Sequence, residues 1–190
     1  MEGENLFSPL ALSEDALTFG RHIWAAYGLR EGERVLAIHP GSGSPAKNWS
    51  PQNFAKVADW ASEQSKVLLI SGPAQDGVEE VIGSMKKASR LVADNLPLIH
   101  LAAVLKMSSA YLGNDSGVTH LAASLGLPTV AIFGPSNPAI WGPRGAGVRI
   151  LYSEDLSSRF SAKGRSESSR HGLETIKPEE AIQALSPYFK

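Results

Sequence analysis

The sequence predicts an α/β fold, a doubly wound parallel sheet with helices on both faces, and three observations lead there. First, the runs RVLAIH (34–39), KVLLI (66–70) and TVAIF (129–133) are almost continuously apolar rather than alternating. Strands covered on both faces read that way. Second, segments with helical apolar spacing separate these runs, the pattern of repeated β-α-β units. Third, each run gives way to a turn rich in Gly, Ser, Pro or Asp, so polar groups are placed just beyond strand ends.

Composition narrows the function. The chain has 190 residues, enough for one sizeable core, with 18 basic against 19 acidic residues. A balanced charge with no basic arm argues against nucleic acid and anionic membranes as partners. Cysteine is absent, which excludes disulfides, thiol catalysis and thiolate metal sites. No run approaches the ~20 apolar residues of a membrane span, and the acidic N-terminus does not suit a signal peptide. The address implied is cytoplasmic, at most peripheral at the inner face of the inner membrane.

In chain order, residues 1–12 read as a lead-in and residues 13–190 as the domain. Ser13 caps a first helix with Glu14 and Asp15 in its first turn. Phe19, Ile23, Trp24 and Tyr27 form its apolar face, and Gly28 ends it. The first strand, 34–39, runs into PGSGSPAKNWSP. Ser50 and Pro51 then open a helix with Phe54, Val57, Ala58 and Ala61 facing inward. A second strand (66–70) ends in SGPAQDG and leads to a helix over 78–87. A short third strand over 90–93 and a helix over 98–107 follow. Residues 148–152 form the last strand candidate, 153–172 a polar surface loop, and 175–185 a closing helix with Pro178 early and Ala181, Ile182 and Leu185 facing in.

The stretch AYLGNDSGVTHLAASLGLPTVAIFGP (110–135) organises the rest. It reads as strand, turn, helix, turn, strand, with Gly113 breaking the first strand and Asn114 or Asp115 capping the helix. Gly126 stands where the helix needs a residue tolerant of positive φ. A helix opening at the carboxyl end of a parallel strand presents free N–H groups and a positive dipole end, so an anion, phosphate above all, is its natural guest.

Three turns meet on that edge. In the first, Gly41 and Gly43 allow close backbone approach, Ser42 and Ser44 offer hydroxyls, and Lys47 brings a mobile positive charge. Taken alone it reads equally as a solvated loop, and it has neither the dinucleotide fingerprint nor the P-loop spacing. In the second, Gln75 or Asp76 can accept from ribose hydroxyls, although Asp76 also reads as a routine cap. In the third, Asp115, Ser116, Gly117, Thr119 and His120 crowd one helix terminus, with His120 four residues after Ser116. His120 also reads as a core histidine and Asp115 as a cap. A hydrolase triad is excluded because three residues in one helical turn cannot form the base–orienter chain, and the GxSxG elbow is absent. Five scattered histidines give no metal-ligand spacing, and no cofactor is implied.

With these residues laid out, the chain resembles the C-terminal half of the ADP-heptose:lipopolysaccharide heptosyltransferases, glycosyltransferase family 9. The resemblance covers about residues 35–152 and the closing helix. It rests on GNDSGVTHLAASLGLPTVAIFGPSNPAIWGP (113–143) and HPGSGSPAKNWSPQNFAKVA (39–58), in which a lysine precedes a tryptophan by two. It implies the GT-B fold, two Rossmann-like domains facing across a cleft, of which this would be the donor-binding one. The activity implied is metal-independent transfer of heptose, or a related sugar, from ADP-heptose to a lipopolysaccharide core acceptor. It further implies that Ser42 and Ser44 line the phosphates and Lys47 neutralises the departing diphosphate. Gln75 or Asp76 would hold the ribose, Ser116 and Gly117 would donate to phosphate, Asp115 would lie near the sugar and His120 would support the turn. The general base would reside in an N-terminal acceptor domain outside this chain, which alone would bind donor. The alternative is a non-catalytic nucleotide or nucleotide-sugar binding module.

Overall fold

The computed structural model describes residues 8–72, 77–87, 90–152 and 169–190. Six parallel strands form one sheet in the order β3-β2-β1-β4-β5-β6: β1 Val35–His39, β2 Lys66–Ser71, β3 Arg90–Asp94, β4 Ala110–Asn114, β5 Thr129–Phe133 and β6 Val148–Tyr152. This is the doubly wound, Rossmann-like α/β fold the sequence predicts. The chain order reverses between β1 and β4, where Ile38 pairs with Leu112 and His39 with Gly113. The strands beside this switch are fully buried, as their apolar runs require.

Eight α-helices are described: α1 Glu14–Ala26, α2 Pro51–Ala61, α3 Val78–Ser84, α4 Leu98–Lys106, α5 Gly117–Ser124, α6 Pro138–Trp141, α7 Ser169–Thr175 and α8 Pro178–Leu185. They divide the core in two. On one face Phe54, Val57 and Ala61 of α2, Val81 of α3 and Leu185 of α8 pack on Leu36, Ile38 and Leu69. On the other, Trp24 of α1, Val104 and Leu105 of α4 and Ala122 of α5 cover Val35, Ala37 and Leu68. Ser13 caps α1 by accepting from the Ala16 amide at 3.3 Å, and Gly20 lets α1 close on Ala103 of α4.

Two elements differ from expectation. α3 stops at Ser84 rather than at 87, because the Asp59 carboxylate takes the Lys86 and Lys87 amides at 3.0–3.1 Å and draws the chain off the helix axis. Gly113 does not break β4, which runs on to Asn114. Its glycine answers a packing demand, since a Cβ there would collide with the Tyr111 hydroxyl and ring. α7 begins at Ser169, inside the stretch expected to be loop; residues 153–168 lie outside the described residues.

Candidate functional site

The loop after β1 and the start of α5 meet at the β1–β4 switch point, where a doubly wound sheet leaves a crevice. Asn114 joins them. Its side chain is fully buried: Oδ1 accepts from the Trp49 amide at 2.9 Å and Nδ2 donates to the Pro40 carbonyl at 2.5 Å. Both ends of the loop are thereby tied to the end of β4. Trp49, also buried, donates its indole N–H to the Ile176 carbonyl at 3.1 Å. Within the loop Ser42 Oγ donates to the Ser44 carbonyl at 2.7 Å and accepts from the Ser44 amide at 3.2 Å. It also lies 2.5 Å from the Asn48 side-chain amide. A hydroxyl has one proton, so Asn48 Oδ1 and the Ser44 carbonyl compete for it.

The tied loop presents Lys47 from a single 3-10 turn, Pro45–Lys47. Lys47 Nζ stands 2.7 Å from Asp115 Oδ2, with the Lys47 side chain 34% exposed and that of Asp115 8% exposed. Asp115 is positioned by its own amide, which donates to the Ile132 carbonyl of β5 at 3.0 Å. The helix cap is Ser116, one residue beyond the two expected caps, and it accepts from the Thr119 amide at 3.4 Å.

Beneath it lies a chain of hydroxyls. Thr119, fully buried, donates to the Asn114 carbonyl. Its Oγ1 lies 3.0 Å from the Tyr111 hydroxyl and 3.1 Å from Ser116 Oγ. With the Thr119 proton used, both neighbours donate to Thr119, and Ser116 Oγ accepts from His39 Nδ1 at 3.4 Å. The Ser116 hydroxyl is thus committed within the protein. The amides of Gly117 and Val118 stand in the first turn of α5 and have no carbonyl four residues back within the helix. A Cβ on Gly117 would meet nothing within 4 Å. Burial pushes the Tyr111 phenol well above the usual tyrosine range, outweighing its hydrogen bond to Thr119.

The structure therefore brings Ser42, Gly43, Ser44, Lys47, Asp115, Ser116, Gly117 and Thr119 to one edge, with Ser42 and Thr119 serving as internal ties. Gly43 is exposed with open space around it. His120 is exposed too, not a core histidine. Gln75 and Asp76 lie outside the described residues. His39 and the tying role of Asn114 were missed. The only signal for them was position, at the ends of the two strands flanking the switch.

A cleft of about 740 Å³ opens on the α2–α3 side of the loop, lined by Pro45, Asn48, Trp49, Glu80 and Glu174 among others. Its carboxylates make it a poor seat for a diphosphate. Among the described residues no group of three His, Asp or Glu converges as a metal site, and no helix is long and apolar enough to cross a membrane.

Fold and switch-point crevice define a class first: the Rossmann-like domain of a GT-B glycosyltransferase. The family follows, since the profile of glycosyltransferase family 9 (heptosyltransferase) matches residues 10–169, and the chain belongs to that family. Lipooligosaccharide heptosyltransferase 2 of Haemophilus influenzae is 29% identical over 167 residues, which is 82% of this chain and 47% of the relative. A glycosyl transferase of family 9 from Veillonella parvula, 28% identical, superposes on 100% of this chain and 56% of its own with a TM-score of 0.80. Escherichia coli ADP-heptose lipopolysaccharide heptosyltransferase II, 21% identical, shares the fold over 100% of this chain and 55% of its own, with a TM-score of 0.78. The chain spans about half the length of the relatives it matches.

Proposed function

We propose that this chain is the donor-binding part of a heptosyltransferase, holding ADP-heptose while the sugar passes to a lipopolysaccharide core acceptor carried by the other half of the enzyme. One observation carries the reading: a lysine from the β1 loop and the open start of α5, from separate turns, converge at the switch point. The substrate assignment draws on the names of the family relatives.

In sugar transfer the bond from the anomeric carbon to the diphosphate breaks, and the departing phosphate gains negative charge. Amides at a helix start and a neighbouring ammonium stabilise that charge more than the ground state, which is the condition for speeding the step. The Gly117 and Val118 amides receive one phosphate and Lys47 the other, while Ser42 and Asn114 hold the loop. The exposed Leu98 and Ile99, opening α4 on the same sheet edge, offer an apolar ledge to the base. β3 and β4 are three strand spacings apart, about 14 Å, a span suited to a nucleoside diphosphate. Gln75 or Asp76 would take the ribose.

Calorimetry of the chain with ADP, ADP-heptose and UDP-glucose tests this. Binding of the two adenine nucleotides is expected, with Lys47→Ala weakening ADP about ten- to a hundredfold, the worth of a charge-assisted bond. A flat response to every nucleotide refutes it. Binding without sugar transfer, when the acceptor half of a relative is added, would reduce the chain to a binding module.

A further inference from the structure

We propose that Asp115 is an internal competitor for Lys47: its carboxylate holds the ammonium while the site is empty, yields it to the incoming diphosphate and reclaims it as the nucleotide leaves. The inference rests on the donor-binding reading of this site.

The geometry supplies a fixed anion and a movable cation. Asp115 is 8% exposed, its backbone is pinned to β5 through the Ile132 carbonyl, and the next residue is the cap of α5. Its carboxylate cannot follow a ligand outward. Lys47 sits at the end of a turn whose flanks are tied at Pro40 and Trp49, but its side chain is 34% exposed and has four rotatable bonds. The ammonium can therefore swing while the loop stays still.

A phosphate that draws Lys47 off Asp115 breaks the 2.7 Å ion pair and leaves a buried carboxylate beside new negative charge. His39 is turned toward Ser116 Oγ, Tyr111 is buried below Thr119, and His120 is exposed on α5. Asp115 thus opposes tight retention of the diphosphate, which favours release of the spent nucleotide. A plain positioning role, in which the carboxylate aims Lys47 at the phosphate, predicts the opposite sign.

The sign is measurable with ADP, which lacks the sugar and so removes any contact between Asp115 and a hexose or heptose. In the full chain, Asp115→Asn is expected to bind ADP about tenfold more tightly, the worth of a charge-assisted bond discounted for the exposed lysine. Most of the gain should appear as slower dissociation. Unchanged or weaker ADP binding by a variant with a normal melting curve overturns the proposal. Should that variant fail to fold, the Asp115 carboxyl ¹³C resonance of the wild-type chain decides: it must shift as ADP saturates, and a static resonance overturns the proposal. Wild-type chain that binds no ADP refutes the donor-binding reading itself, whereas wild-type binding with no gain in the variant refutes only the competitor.

Discussion

Replacing Asn114 by alanine removes two hydrogen bonds that no neighbouring side chain can remake, the 2.9 Å bond from the Trp49 amide and the 2.5 Å bond to the Pro40 carbonyl. Both partners would be left buried without a mate, and each such group costs about 1–3 kcal/mol. The small void adds to this, and a water entering it subtracts. A loss of about 3 kcal/mol follows, which for a chain of this size lowers the melting temperature by roughly 6–12 °C. Urea unfolding followed by far-UV dichroism reads the first figure and a thermal melt the second. Because the same two bonds fix the loop that carries Lys47, ADP affinity should fall even at temperatures where the variant stays folded. A midpoint within about 1 kcal/mol of wild type, or intact ADP binding by the folded variant, would refute the view that Asn114 organises the edge.

Gly113→Ala should destabilise by about 1–3 kcal/mol, as overpacking does, because the added methyl meets the Tyr111 ring and hydroxyl. Tyr111→Phe in that background should recover part of the loss, and a strictly additive double variant in urea unfolding would count against the contact. The raised Tyr111 pKa makes a prediction at high pH: above the ordinary tyrosine value of 10.0 the unfolded phenol ionises while the folded one keeps its proton. The stability its neutral form supplies is complete below that pH and then falls by about 1.4 kcal/mol per pH unit. The slope should be shallower in Tyr111→Phe, and equal slopes in the two chains would refute it. Thr119→Val, which keeps the shape but leaves the Tyr111 hydroxyl without its buried partner, should cost about 1–3 kcal/mol in the same assay.

Legibility in the sequence followed the physics of each element. Buried strands and amphipathic helices announce themselves through apolar spacing, so β1, β2, β5, α2 and α5 stand within a residue or two of where the pattern places them. That the turns after β1 and β4 meet was legible because polar groups beyond strand ends must gather on one edge. What stayed hidden were choices among equivalent residues. Asn114, Asp115 and Ser116 are all competent caps, and only the pairing of β4 with β1 shows that the first ties a loop, the second holds a lysine and the third caps the helix. The end of α3 was invisible for a similar reason, since Asp59 acts on it from 27 positions away. Gly113 looked like a strand breaker because nothing local reveals a tyrosine hydroxyl folding back across it.

The indole bond from Trp49 to the Ile176 carbonyl joins positions 127 apart. A growing chain therefore exposes the first turn of its edge long before the residue that seats it has been synthesised. Until then the Trp49 indole N–H lacks its acceptor, and the loop is held through Asn114 alone. A ribosome-stalled fragment ending before Ile176 should accordingly carry the whole central sheet and the Asn114 tie, yet hold nucleotide less tightly than the chain that reaches Ile176.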